Sequence, residues 1–315
     1  MENCQRNFFV KWFTRIMSLI GFCVCMVLIF GIFFNHKLVK KYNSENVAHI
    51  KINGAIITSE ETDSLFRGYD FTIADDVISL LEDIEKDKSI KAILVEINSP
   101  GGTPVASAEI ANALNKCKVP KVSWIRETGA SGAYWVAMVT DFIVCHPMSI
   151  TGSIGVLANS FGFEKVLELL KIEFRRQVAG SFKDIGSPYR AETEDEKQYI
   201  QNIINQIHEE FIKAFIAGRK LDESTARETA NGLFYTGTDA LDKKLVDKLG
   251  SKDEVLEWLK TQIKEEPVLR AYDAEGSFFQ NLMKKMQVFF RKTGFSLSRG
   301  AIGGVLNSSY GLQLK

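Results

Sequence analysis

The heptapeptide Gly129-Ala130-Ser131-Gly132-Ala133-Tyr134-Trp135 sets one hydroxyl among residues that have almost no side chain. Before it, Lys121-Val122-Ser123-Trp124-Ile125-Arg126 has the β-branched and aromatic content of a buried strand, and residues 134–138 begin a helix. A serine at such a junction is placed for nucleophilic attack on a carbonyl. Its small neighbours admit a substrate backbone, and the free N–H groups of the helix start can steady the oxygen that becomes negative. Its own proton is held tightly at neutral pH, so a base is required. Two side chains could serve. His146 lies 15 residues on, just after a strand. Lys183 sits in the loop Gly180-Ser181-Phe182-Lys183-Asp184-Ile185-Gly186-Ser187-Pro188. There it would have to be desolvated, to bring its ordinary pKa of about 10.4 down far enough to release a proton. His36 and His49 read as flanking an apolar segment and sitting in the first strand. His208 reads as a solvent-facing residue of a long helix.

The elements that must position these groups alternate. Residues 47–52 form a strand ended by Asn53-Gly54, and apolar residues from Ile73 to Ile84 recur at helical spacing. A β-rich run at 90–97 leads into Asn98-Ser99-Pro100-Gly101-Gly102, followed by a helix at 104–115 and then the strand that ends at Arg126. Further on come a strand at 142–145, the turn Thr151-Gly152-Ser153-Ile154-Gly155, a helix at 163–170 and a strand at 174–178. A long helix at 193–215 carries an apolar stripe of Ile200, Ile203, Ile204, Ile207, Phe211 and Phe215. Shorter helices follow at 222–230 and 251–263, and Pro267 closes the domain. Alternating strands and helices predict an α/β fold with largely parallel strands. Sites in such sheets lie beyond the carboxyl ends of the strands. The loops at 98–102, 129–132, 151–155 and 180–188 occupy that position.

Lysine plus arginine and aspartate plus glutamate both number 39, a balance that argues against a nucleic-acid surface. Residues 16–34 carry no charge and, as a helix, would extend roughly 28 Å, enough to cross a hydrocarbon core. Phe33-Phe34-Asn35-His36-Lys37 lacks the small residues of a cleavage site, so the segment reads as a retained anchor rather than a removed signal peptide. Lysines and arginines flank it on both sides and leave its orientation open. Of five cysteines only Cys117 and Cys145 fall in the main domain, and they read as buried thiols. Beyond Gly276 there are six Lys/Arg and no acid, interleaved with Phe278, Phe279, Leu282, Met283, Met286, Phe289 and Phe290 at helical spacing. That pattern suits a helix lying on an anionic membrane surface or packed on protein.

Taken in order, Asn98 to Gly102, Ala130 to Tyr134, Ser149-Ile150-Thr151-Gly152-Ser153-Ile154-Gly155-Val156, Lys183 to Pro188, and Phe234-Tyr235-Thr236-Gly237 through Leu245-Val246-Asp247 resemble the signal peptide peptidase A family. These are membrane serine peptidases of the Clp-protease/crotonase superfamily, here in the short single-repeat form. The resemblance covers about residues 46–250, and Ser131 and Lys183 stand 183 − 131 = 52 residues apart. It implies a Clp-protease/crotonase-like α/β fold preceded by one transmembrane helix, with Ser131 as nucleophile and Lys183 as general base. Gly132 with Gly101 or Gly102 would form the oxyanion hole, and Ser153 would orient the lysine. It implies no metal or cofactor. It also implies a homo-oligomer anchored in a bacterial-type cytoplasmic membrane, with its catalytic domain on the outer face, that degrades cleaved signal peptides. Ala133, Trp135 and Phe182 depart from the usual residues of the family. The expected division is an N-terminal tail, anchor and linker at 1–45, a peptidase domain at 46–269 and a basic amphipathic tail at 270–315. Two other classes fit such a fold: an acyl-CoA enzyme of crotonase type, and a catalytically silent membrane scaffold.

Overall fold

The computed structural model describes residues 45–59 and 71–272. The apolar segment at 16–34 and the basic tail beyond 272 lie outside the described residues. Among the described residues no helix is long and apolar enough to cross a membrane.

Among the described residues nine strands form one sheet: β1 (Val47–Ile57), β2 (Phe71–Ile73), β3 (Ala92–Gly102), β4 (Lys121–Ala130), β5 (Phe142–Cys145), β6 (Ile150–Gly152), β7 (Phe234–Thr236), β8 (Lys248–Leu249) and β9 (Leu269–Tyr272). The spine runs β2-β1-β3-β4-β5-β8, with β9 on β1 and with β6 between β4 and β7. Every pairing is parallel except β6 with β7. The helices are α1 (Ala74–Lys86), α2 (Pro104–Lys116), α3 (Gly132–Ala137), α4 (Glu164–Leu169), α5 (Glu194–Arg219), α6 (Glu223–Thr229), α7 (Gly237–Asp242) and α8 (Lys252–Ile263). The parallel α/β expectation therefore holds.

Period-2 alternation divides the strands between the two faces of the sheet. Ala48, Ile50, Ile52, Ile93, Val95, Ile97, Ile125 and Ile143 join one core with Val77 and Leu81 of α1, Ile110 and Leu114 of α2, and Phe211 and Phe215 of α5. Val47, Leu94, Val122 and Val144 join a smaller core under Val255 and Leu259 of α8. Where α8 does not reach, the second face turns polar. There Glu96 accepts from Arg126 at 2.7 Å and pairs with His49 at 2.9 Å, and Arg126 lies over the Trp124 ring.

Several expectations needed revision. β1 does not stop at Asn53 but continues to Ile57 through a register shift between Asn53 and Ala55. No strand forms at 174–178, where the backbone is irregular and the side chains are largely exposed. The turn after Thr151 is preceded by a short strand, β6, whose pairing to Phe234–Thr236 is a contact across about 84 residues that periodicity cannot reveal. Nor does Pro267 close the domain, because β9 returns to pair with β1.

Candidate active site

β3 and β4 are parallel neighbours and end together, which brings Asn98–Gly102 beside the Ser131 turn. Gly101 has φ +104°, and a Cβ placed there would lie 2.7 Å from the Gly132 nitrogen and 2.8 Å from the Ser131 Cβ. Only glycine admits this approach of two backbones. Gly132 is equally confined, since a Cβ would meet the Ser107 hydroxyl at 2.2 Å and the Gly102 nitrogen at 3.2 Å. The N–H of Gly101 donates to Ser99 Oγ at 3.1 Å, so it is already engaged. Gly102 and Gly132 line an open cleft of about 590 Å³ together with Ser131 and Ser153.

Ser131 occupies the cap position of α3 with φ 53° and ψ −126°, a conformation almost confined to glycine. It is held there from both sides. The Ser131 N–H donates to the Gly152 carbonyl at 2.8 Å, and the Trp135 N–H donates to the Ser131 carbonyl at 3.0 Å. Thr151, fully buried, ties β6 to the turn by donating its hydroxyl to the Gly129 carbonyl at 2.7 Å. Behind the turn, buried Tyr134 donates to the Leu245 carbonyl at 2.8 Å and meets Phe215 edge-on. Ser153 also has positive φ, at 52°, and its N–H donates to the Leu233 carbonyl at 2.8 Å.

The far wall of the cleft is α5. Gln201, Ile204, Asn205, His208 and Phe211 line it, and Phe211 stacks on Trp135 with centroids 4.5 Å apart. This wall was not anticipated. His208, expected to face solvent, lies in the cleft wall, and its Nε2 is buried without a hydrogen-bond partner. The spacing 201, 205, 208 places these polar residues along one helical stripe beside Ile204, Ile207 and Phe211. That is the signal that could have exposed the wall.

Lys183 is not brought to Ser131 within the chain. It is exposed, in a run of turns between Gly180 and Ser187, and does not line the cleft. His146 is not in the cleft either; its Nδ1 accepts from the Met148 N–H at 3.2 Å in a strand-end turn. Cys117 and Cys145 are buried and free, as expected. Burial pushes the Cys145 thiol up to about 12 and raises Cys117, which makes both poor nucleophiles.

Residues 113–265 match the sequence profile of Peptidase family S49, and residues 49–142 that of Clp protease. The chain is 33% identical over 255 residues to "Putative protease MJ0651" of Methanocaldococcus jannaschii, covering 78% of this chain and 79% of that one. It is 31% identical over 225 residues to "Putative signal peptide peptidase SppA" of Enterococcus faecium, covering 70% and 65%. With "Protease 4" of Haemophilus influenzae it shares 27% over 224 residues, 69% of this chain and 35% of that longer one. A glycine-walled cleft around a serine, on a parallel sheet of this kind and with relatives of this kind, leads to one assignment: the chain belongs to peptidase family S49, the signal peptide peptidase A family, and is a serine peptidase.

Proposed function

We propose that this chain is a membrane-anchored endopeptidase in which Ser131 is the nucleophile and Lys183 the general base, acting on cleaved signal peptides and similar membrane-associated peptides. The observation that carries the reading is the backbone of Ser131, held in a glycine-like conformation in a cleft that Gly102 and Gly132 also line. In this mechanism Ser131 Oγ attacks the scissile carbonyl as its proton passes to neutral Lys183. The oxyanion is held by the Gly132 and Gly102 N–H groups, Gly101 providing the room for them. The lysine ammonium then protonates the leaving amine, and the neutral amine activates the water that releases the acyl group. Ser153, on the same cleft, orients the lysine.

Lys183 reaches a site by assembly. It rides on an arm, residues 156–190, that exposes Leu157, Phe161, Leu169, Leu170 and Phe182, each at least half accessible in the single chain. Isolated chains rarely leave so many large apolar groups to solvent without a partner. A homo-oligomer that covers the arm and inserts Lys183 into the Ser131 cleft of the next copy accounts for both facts. Residues 16–34 anchor this assembly, residues 46–269 are the peptidase domain on the extracytoplasmic face, and residues 270–315 form the basic tail.

Complementation tests the reading. Ser131→Ala and Lys183→Arg full-length chains are each expected to be inactive on an internally quenched apolar peptide, because arginine cannot release its proton. Unfolded together and co-assembled at equal amounts, they should regain activity at about a quarter of the sites in a head-to-tail ring. Turnover by well-assembled Lys183→Arg alone would remove lysine from proton transfer. Two dead variants that never complement would place both groups in one chain.

A further inference from the structure

A lysine that must be neutral to act should have no carboxylate at hand, yet the next residue in the chain is Asp184. The arrangement around that aspartate resolves the conflict. Both of its oxygens are taken by two guanidinium groups. Arg176 donates Nε to Oδ2 at 2.5 Å and Nη2 to Oδ1 at 2.7 Å. Arg190 donates Nε to Oδ2 at 2.8 Å and Nη2 to Oδ1 at 3.0 Å, and also reaches the Asp184 carbonyl at 3.2 Å. On its other side Arg190 meets Glu196, on the first turn of α5. It is occupied by Arg190 and by the Thr193 N–H and hydroxyl. Lys183 Nζ has no hydrogen bond or ion pair among the described residues. The cleft around Ser131 is lined by no carboxylate, and His208 is its one titratable side chain among the described residues.

We propose that Arg176 and Arg190 are positioning residues that sequester the Asp184 carboxylate, so that the turn presents Lys183 without a counter-charge and the lysine can serve as a base. This rests on Lys183 being the base, as set out above. Arg190 and Asp184 are half-buried, but Arg176 is exposed, and an exposed ion pair of its kind adds little to stability. Here the pairing also fixes geometry. Arg190 links the backbone of Asp184 to Glu196, and so to the start of the helix whose later turns wall the cleft. With either arginine lost, Asp184 would be held by one guanidinium instead of two, and its less neutralised charge would favour the charged form of the adjacent amine.

The test is the pH dependence of kcat/KM, which reports the ionisation of the free enzyme. Full-length Arg176→Gln and Arg190→Gln are assayed on the quenched apolar peptide beside the parent and Lys183→Arg, with assembly checked by sedimentation. The acid limb of the profile should move to higher pH in both variants, by about one unit in Arg190→Gln. Activity at the alkaline plateau should stay within about threefold of the parent. Adding Asp184→Asn to either variant removes the freed carboxylate and should return the limb to its original position. Arg176→Gln leaves Glu196 untouched, so it guards against a folding defect in Arg190→Gln. A loss of activity uniform with pH, or a shift that Asp184→Asn does not reverse, overturns the proposal and leaves the arginines as struts. An active Lys183→Arg enzyme would overturn the base assignment itself, whereas an inactive one with unmoved acid limbs would overturn only the role of the arginines.

Discussion

Ser131 keeps its oxygen at the cleft through a backbone angle that a side chain resists, and this can be measured. A non-glycine residue at φ 53°, ψ −126° carries roughly 1–3 kcal/mol of strain. Ser131→Ala and Ser131→Gly should both be inactive, but the glycine variant should be the more stable of the two by about 1 kcal/mol in urea, because the strain is relieved. Equal stabilities would mean that the turn stores no strain. At Gly101 the sign reverses. A methyl group there would press on the Gly132 nitrogen and the Ser131 Cβ, so Gly101→Ala should lower kcat/KM at least about a hundredfold, the scale of losing one oxyanion donor. Thr151→Val removes the hydroxyl that the Gly129 carbonyl accepts and should cost about 1 kcal/mol in denaturant titration. The turn that holds Ser131 in the cleft was legible because a close approach of two backbones needs small residues next to one another in sequence. The engagement of the Gly101 N–H was not, since it depends on Ser99 reaching forward to accept it, a contact that the spelling Asn-Ser-Pro-Gly-Gly does not encode.

α5 is where local reading and tertiary outcome diverge most. Its start was readable, because Thr193 and Glu196 form a capping box. Its apolar stripe was readable too, but not its use: Phe211, Ile212 and Phe215 enter the core, while Ile203 stays exposed and Ile204 and Ile207 face the cleft. Periodicity marks an apolar face and does not say whether a core, a substrate or a neighbouring chain will cover it. The short strands β6 to β9 escaped for a related reason, since two to four residues hold no period. The helix start also carries a pH response. Arg190 and the Thr193 N–H hold Glu196 down to about 2, and Arg176 with Arg190 holds Asp184 well below the usual carboxylate range. A carboxylate depressed in the fold contributes stability that is complete above its unfolded value of 4.5 and fades as pH falls toward the folded value. Amide exchange between 176 and 200 should therefore stay slow down to about pH 4.5 and quicken progressively below it. Quickening already between pH 7 and 5 would contradict this.

At the scale of the whole molecule, the proposed assembly makes the arm at 156–190 the part that a second copy must cover. The sheet and its two cores are complete without it, yet it bears the lysine and much of the exposed apolar surface. Phe161→Asp with Leu169→Asp, both about four-fifths exposed in the single chain, should leave the thermal midpoint of the domain nearly unchanged while abolishing assembly and activity together. Monomers that retain peptidase activity in sedimentation and assay would refute that link. The pairing of β9 with β1 has a mechanical consequence. The two strands are parallel in register from Val47 with Leu269 to Ile50 with Tyr272, and Asn46 and Glu45 bond across to Val268 and Arg270. The chain enters at the foot of one strand and leaves at the head of the other. A pull applied at residues 45 and 272 therefore loads this ladder in shear, so its bonds must fail together rather than peel one at a time. In single-molecule stretching between those two points the domain should yield abruptly and at high force. With Arg270→Ala it should yield at a visibly lower one, since that side chain ties β9 to Glu45 and Asp87. The pairing of β9 with β1 thus makes a clamp in the path of tension between residues 45 and 272.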